Sequence, residues 1–289
     1  MMSRGWPAPA KLNLFLHVTG RRDDGYHELQ TAFQLLDLSD TIDIGLRDDG
    51  AIHRAEGLSD VDPEADLAVR AARLLKARTG SRLGADLWVR KVVPAGGGLG
   101  GGSSDAATVL VALNQLWATG LSSGQLAGLG LELGADVPVF VHGRSAWAEG
   151  VGEVLQPLDL PPRWFAIVHP GVAISTAEVF QAPELTRNSP KITIRGFLQA
   201  GGRNDCEPVV VARRPEVREA IEWLGRSGTA RMTGTGSCVF AAFPTQEEAT
   251  RALAGLPGGW QGFVARGLDV SPLAHRLEAE RAARQADLG

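Results

Sequence analysis

The segment Pro94-Ala95-Gly96-Gly97-Gly98-Leu99-Gly100-Gly101-Gly102-Ser103-Ser104-Asp105 falls between a strand-like stretch and a helix-like one. Six glycines in seven positions cost backbone entropy that a plain connection would not need. They suit a backbone that must press against a bulky anion. Successive N–H groups form a concave nest, and the helix N-terminus behind them adds positive dipole. Phosphate binding is the chemistry to expect, while helix capping is the plainer use of Ser103, Ser104 and Asp105. Three further groups could do chemistry. Asp136 stands just ahead of Pro138, as a general base or as a turn residue at a helix start. Lys11 and Asn13 share one face of an alternating strand, turned either to a site or to solvent at an edge. Tyr26, the only tyrosine, and His27 follow the Asp24-Gly25 turn. The ring can stack on a flat base and the imidazole can bond its edge, or both can pack within a hairpin.

Familiar nucleotide signatures do not account for the loop. Gly96, Gly98 and Gly101 match the spacing of the dinucleotide fingerprint, but the positions about 20 residues on read Thr119 to Gly124, with no acid to hold a ribose. A P-loop needs a lysine where Gly102, Ser103 and Ser104 stand, and no H-R-D or D-F-G occurs. Gly120-Leu-Ser122-Ser-Gly124 has the hydrolase-elbow spacing but follows a helix rather than a strand, so Ser122 or Ser123 is expected to cap the next helix.

A scaffold must hold these groups together. At 289 residues the chain is about twice a usual domain, so two domains are expected. With 33 acidic against 29 basic residues, a net charge of -4, no basic excess drives nucleic-acid binding. Cys206 and Cys238 make neither a disulfide framework nor a four-ligand zinc site, which fits a reduced cytoplasmic protein. No run approaches the roughly 18 apolar residues of a membrane span, and Met1 to Pro7 carry no leader-like apolar stretch.

Ala8, Ala10, Leu12, Leu14 and Leu16 alternate with Lys11, Asn13, Phe15 and His17, which predicts a strand. His17 is expected to be structural. The Asp23-Asp24-Gly25 turn leads to a second strand over Leu29–Ile44. Pro63 and Glu64 open a helix with Ala68, Ala71, Ala72 and Leu75 on one face and Gly80 as its C-cap. A strand over Leu87–Val93 precedes the glycine loop, and Ala106, Val109, Leu110, Leu113, Leu116 and Trp117 mark the helix after it. The Gly- and Pro-rich stretch from Gly150 to Pro162 sets the domain boundary, giving domains 1–155 and 156–289. The second half alternates a helix (Glu216–Arg226), a strand (Cys238–Phe243), a helix (Gln246–Ala254) and a strand (Phe263–Leu268), a split β-α-β layer. Leu273–Gln285 reads as a charged helix with a solvated face.

Pro9-Ala-Lys-Leu-Asn13, the Gly96–Ser104 loop and Gly234-Thr-Gly-Ser237 together resemble the three motifs of the GHMP small-molecule kinases. Arg22-x-x-Gly-Tyr-His27, Gly134-Ala-Asp-Val-Pro-Val-Phe140, Asn204-Asp-Cys206 and Met232-Thr-Gly-Thr-Gly-Ser237 point within that family to kinases whose acceptor is cytidyl-diphosphate methylerythritol, in non-mevalonate isoprenoid synthesis. The match runs in order from about residue 8 to residue 272. It implies an α+β, two-domain architecture. An N-terminal nucleotide-binding α/β domain and a C-terminal ferredoxin-like domain would flank an active-site cleft. It also implies phosphoryl transfer from ATP, with Mg²⁺, to the 2-hydroxyl of that small-molecule acceptor, by a cytoplasmic monomer or homodimer.

By the same resemblance Asp136 is the base, with Lys11 paired to it. Pro94, Ala95, Gly96, Gly97, Gly98, Leu99, Gly100, Gly101, Gly102, Ser103 and Ser104 hold the nucleotide phosphates. Asn13 bonds the substrate, Tyr26 and His27 form the cytosine site, and Phe180 and Thr176 supply a second aromatic wall and a polar contact. The Gly234–Ser237 loop closes the cleft near the phosphates. No carboxylate cluster marks a metal cage, so the ion should arrive with the nucleotide, with Ser104 as a ligand directly or through water. One departure is Asp66-Leu67, where related kinases often carry Asn-Leu beside the nucleotide.

Overall fold

The alternating segment at the start of the chain becomes a 20-residue strand, β1 (Met2–Arg21), paired antiparallel with β2 (His27–Arg47) across the Asp23-Asp24-Gly25 turn. The computed structural model describes residues 2–57 and 62–286. The chain continues through β3 (Ile52–Glu56), α1 (Leu67–Thr79), β4 (Gly84–Arg90), α2 (Gly101–Leu116), α3 (Ser123–Leu133), α4 (Val137–His142), β5 (Ala146–Glu149) and β6 (Val154–Pro157). It then forms β7 (Trp164–His169), α5 (Thr176–Gln181), α6 (Ile194–Ala200), α7 (Glu207–Arg213) and α8 (Pro215–Gly225). Last come β8 (Arg231–Met232), β9 (Val239–Phe243), α9 (Gln246–Ala252), β10 (Gln261–Leu268) and α10 (Pro272–Ala286).

β2 is long enough to serve three neighbours besides β1. Thr41–Arg47 pair with β4, Leu35 and Leu36 with β10, and Thr31–Phe33 with β5. The polar face of β1 does not meet solvent, because Lys11 and Asn13 are buried along with Ala8, Ala10 and Leu12. Register shifts between Pro9 and Lys11 and between Asn13 and Leu16 break the simple alternation. Such bulges re-aim side chains, so Leu12 and Leu16 join different cores instead of one face.

α1 starts at Leu67, later than Pro63. Asp62–Asp66 fold as a turn, and the Asp66 carboxylate accepts the Ala68 N–H at 2.9 Å as N-cap. Gly80 ends it in the left-handed region, as the sequence requires. Ser122 caps α3 in a capping box with Gln125, so neither serine is a nucleophile elbow. α2 is buried all round from Ser104 to Leu113 rather than along one stripe. Small side chains such as Ala106, Ala107 and Ala112 let α1, α4 and β1 close around it.

In the second half the strand order is β10-β7-β9-β8 with every neighbouring pair antiparallel. With α8 and α9 as the crossovers, this is the expected ferredoxin-like layer. The β2–β10 pairing joins it to the first half as one sheet, and the cleft opens where they meet. α10 is more than a solvated face. Leu273 enters the core that holds Trp6, and the Arg276 guanidinium lies 4.4 Å from the Trp6 ring centroid.

Candidate active site

The glycine loop leaves β4 and delivers its backbone to the cleft floor. Gly96, Gly98 and Gly100 have φ of 67°, 75° and 74°, an alternation of left-handed residues that suits an anion nest. Gly100 is the N-cap of α2, so Ser103, Ser104 and Asp105 lie inside the helix and do not cap it. Leu99 is fully buried and anchors the loop, and its carbonyl accepts the Lys11 N–H at 3.0 Å. On the other side the Cys238 N–H reaches the Gly97 carbonyl at 3.0 Å. A Cβ at Gly98 would stand 2.3 Å from the Thr233 carbonyl oxygen, a backbone atom that cannot swing away. Gly98→Ala should therefore push the loop off the 233–236 turn. We expect the KM for ATP to rise at least about tenfold, with 1–2 kcal/mol of left-handed strain reducing the unfolding midpoint. An unchanged KM would mean that this loop does not touch the nucleotide.

The cleft holds about 600 Å³ and is lined by the loop, Lys11, Asn13, Thr31, Phe33, Asp136, Thr176, Phe180 and Gly234–Gly236. Lys11 projects from β1 and is 2% exposed, yet its ammonium is 3.1 Å from Asp136 Oδ2. It also donates to Asn13 Oδ1 and sits 5.3 Å from the Phe33 ring centroid. Asp136 occupies the N-cap position of α4 but makes no capping bond, so its carboxylate is turned to the lysine. Asp136 thus stands at a helix start, as the turn reading expects, without capping the helix. A third of that side chain remains open to the cleft, enough for a hydroxyl to approach. The Asn13 carboxamide is set by donation to Thr31 Oγ1 at 3.0 Å.

Phe180 lines the cleft, and His27, outside the lining, stacks on it with ring centroids 5.1 Å apart and planes at 26°. Arg187 Nε donates to His27 Nε2 at 3.1 Å, which leaves the ring proton on Nδ1. Burial, then the charges of Arg187 and Arg21, hold this histidine below its ordinary value, so it is neutral at pH 7. Thr176 bonds Thr235 through their hydroxyls at 2.9 Å, tying α5 to the 233–236 turn. Tyr26 lies apart at the hairpin tip, 64% exposed and outside the cleft lining. Ser103 lines the cleft, whereas Ser104 lies beneath it, its hydroxyl fully buried and without a hydrogen-bond partner. His17 packs edge-on to Phe15 away from the cleft lining, a structural place. Asp66 lines the cleft while it caps α1 and pairs with Arg54 at 3.0 Å.

Sequence reasoning missed Lys91. It lines the cleft beside the loop and bridges Asp40 and Asp105, 2.5 Å from each. Asp40 Oδ1 also accepts the N–H groups of Val92 and Val93. A lysine just after a strand usually faces water, and nothing local tells that two distant aspartates meet it. Burial pushes the Asp105 carboxyl upward against the pull of Lys91, and Asp40 adds to the push. Burial opposes the Lys91 charge, but the two carboxylates outweigh it and raise the ammonium above the lysine range.

Lys91→Met should cost about 3–5 kcal/mol at neutral pH by stranding both carboxylates. A carboxyl whose folded pKa is raised destabilises progressively as pH climbs from its unfolded to its folded value. The loss should therefore shrink toward about pH 5, read as urea midpoints at the two pH values. Equal losses at both would contradict the network.

Residues 66–144 match the family described as GHMP kinases N terminal domain, and residues 187–261 match GHMP kinases C terminal. A 4-diphosphocytidyl-2-C-methyl-D-erythritol kinase from Alkalilimnicola ehrlichii is 60% identical over 285 residues, 99% of this chain and 98% of the relative. Its namesake from Halorhodospira halophila is 62% identical over 280 residues, 96% of this chain and 97% of that one. Among solved structures, a crystal structure of 4-(cytidine 5'-diphospho)-2C-methyl-D-erythritol kinase superposes with a TM-score of 0.78 at 34% identity. It covers 92% of this chain and 99% of its own. Conserved length, both domain matches and the cleft agree: the chain belongs to the 4-diphosphocytidyl-2-C-methyl-D-erythritol kinases, a branch of the GHMP kinase family.

Proposed function

We propose that this kinase transfers the terminal phosphoryl group of ATP to the 2-hydroxyl of 4-diphosphocytidyl-2-C-methyl-D-erythritol, the compound named in its relatives. The observation that carries the reading is the Lys11–Asp136 pair beside a glycine nest, in a cleft lined by Phe180, on which His27 stacks from outside the lining. Asp136 accepts the hydroxyl proton as the acceptor oxygen bonds to the γ-phosphorus. The bond from that phosphorus to the β-bridging oxygen breaks, ADP leaves, and the proton passes to water. Lys11 orients the carboxylate and neutralises charge on the transferring group. The 94–102 backbone holds the phosphates, and Asn13 fixes the acceptor. His27 and Phe180 take the cytosine, with Tyr26 as the outer ring from the hairpin tip.

Mg²⁺ would neutralise the β- and γ-oxygens when bound with the nucleotide. Among the described residues no cluster of His, Cys, Asp or Glu could cage it. Ser104, the ligand that the resemblance implied, has its hydroxyl fully buried beneath the cleft lining, so the ion would be held by the nucleotide phosphates. We place the division of labour at residue 155, with nucleotide groups mainly in 1–155 and the closing turn in 156–289. No helix among the described residues is long and apolar enough to cross a membrane. The buried free thiols of Cys206 and Cys238 suit a cytoplasmic setting.

The test is ADP release with four acceptors: the cytidyl compound, its uridyl analogue, mevalonate and homoserine. Release with the cytidyl compound alone is expected. Equal release with mevalonate would keep the phosphoryl chemistry and overturn the cytosine assignment.

A further inference from the structure

Asn204 carries a motif in the sequence but does not line the cleft, and its surroundings show what it does. It is 5% exposed, in the segment before α7. Its Nδ2 donates to the carbonyls of Met232 at 2.9 Å and Gly234 at 2.8 Å, and its Oδ1 accepts the Cys206 N–H at 2.9 Å. Only a carboxamide can serve two backbone acceptors and one backbone donor together, which fixes its orientation. Glu207, one turn on, accepts the Met232 N–H at 2.8 Å. The 204–207 segment therefore grips both backbone groups of Met232 and the carbonyl of Gly234.

That grip bears on the site through the turn it holds. The Thr233 hydroxyl accepts the Asn13 N–H at 2.9 Å, and its carbonyl lies against Gly98. The 204 segment is itself locked to β1, since Leu16 N–H bonds Arg203 O at 3.0 Å and Asp205 N–H bonds Leu16 O at 2.8 Å. β1, the glycine loop and the 233–236 turn thus meet at one joint. We propose that Asn204 is a positioning residue for this kinase, setting the 233–236 turn against the glycine loop so that the phosphates are held for transfer. The inference rests on the proposed phosphoryl transfer.

The test uses the full chain as Asn204→Asp and Asn204→Ser. The aspartate keeps the shape but turns a carboxylate toward two carbonyl oxygens, and the serine leaves one donor at most. A small misplacement of a phosphate-holding turn is expected to lower kcat by about 10- to 100-fold and to raise the KM for ATP. The KM for the cytidyl acceptor should rise less than the KM for ATP, since the turn reaches Phe180 only through the Thr176–Thr235 hydrogen bond at the start of α5. Asn204→Asp should regain part of its kcat as pH falls toward about 5, when a protonated carboxyl can donate again, whereas Asn204→Ser should not.

Both variants are checked by thermal melts with and without ADP. If the aspartate variant does not fold, the serine variant decides through the same split of constants. Wild-type kcat and KM for ATP in a folded variant would overturn the proposal. So would parallel rises in both KM values with a lowered melting point, which would mark general loosening. An inactive wild type would instead contradict the proposed transfer.

Discussion

Asp136→Asn should lower kcat by about 10²- to 10⁴-fold while the protein folds and binds ATP as before. The substitution keeps the shape of the side chain but removes its ability to take a proton and the negative charge that faces Lys11. Because Asp136 makes no capping bond in α4, losing its charge should not unravel the helix start. Its partner Lys11 keeps the Asn13 carbonyl oxygen and the Phe33 ring, so the ammonium is not left without support. The measurement is steady-state kinetics with a thermal melt and an ATP titration on the same preparation. A fall in kcat of less than about threefold would mean that the acceptor hydroxyl loses its proton elsewhere and that Asp136 only holds Lys11.

Lys11→Met should lower kcat by about 10²- to 10³-fold, the usual effect of removing one preorganised charge from a transferring group. Methionine matches the length of the lysine stem, so the packing against Phe33 and Gly100 survives better than with alanine. Lys11→Arg should fail to rescue. The Lys11 ammonium already lies 3.1 Å from Asp136 Oδ2 and donates to Asn13 Oδ1, so a longer, planar guanidinium could not keep both contacts. If the two residues act as one unit, Lys11→Met combined with Asp136→Asn should be little worse than the poorer single variant. Full additivity of the two losses would contradict a shared role for the pair. An active Lys11→Arg enzyme would show that only positive charge matters at that position.

The parts legible in the sequence were those with local signals. The glycine loop announced itself by composition, and its place between β4 and α2 followed from the flanking patterns. The Gly80 cap, the Ser122 cap and the alternating helices and strands of the second half were equally local. Three features were out of reach for physical reasons. The bulges in β1 cannot be read from alternation, so Leu12 and Leu16 were placed on one face although they enter different cores. Lys91 meets Asp40 across 51 residues and Asp105 across 14, and only the folded sheet brings the three together. α10 looked solvated because its charges dominate its composition. Its return to Trp6 rests on Leu273 and on the Arg276 guanidinium, which lies over the Trp6 ring and pairs with Glu280 at 2.8 Å. Asp136 was open between base and turn on its residues alone, and the resemblance to known kinases favoured the base. The structure adds that it faces Lys11 at 3.1 Å with no capping bond.

The most direct measurement is ³¹P NMR of the purified protein with Mg-ATP and the cytidyl-diphosphate methylerythritol, with mevalonate and homoserine as parallel acceptors. The expected result is a new phosphomonoester signal, growing with ADP, in the cytidyl sample alone and absent with Asp136→Asn. Folded protein that binds ATP and yields no phosphomonoester with any acceptor would contradict the assignment of this cleft as a phosphoryl-transfer site.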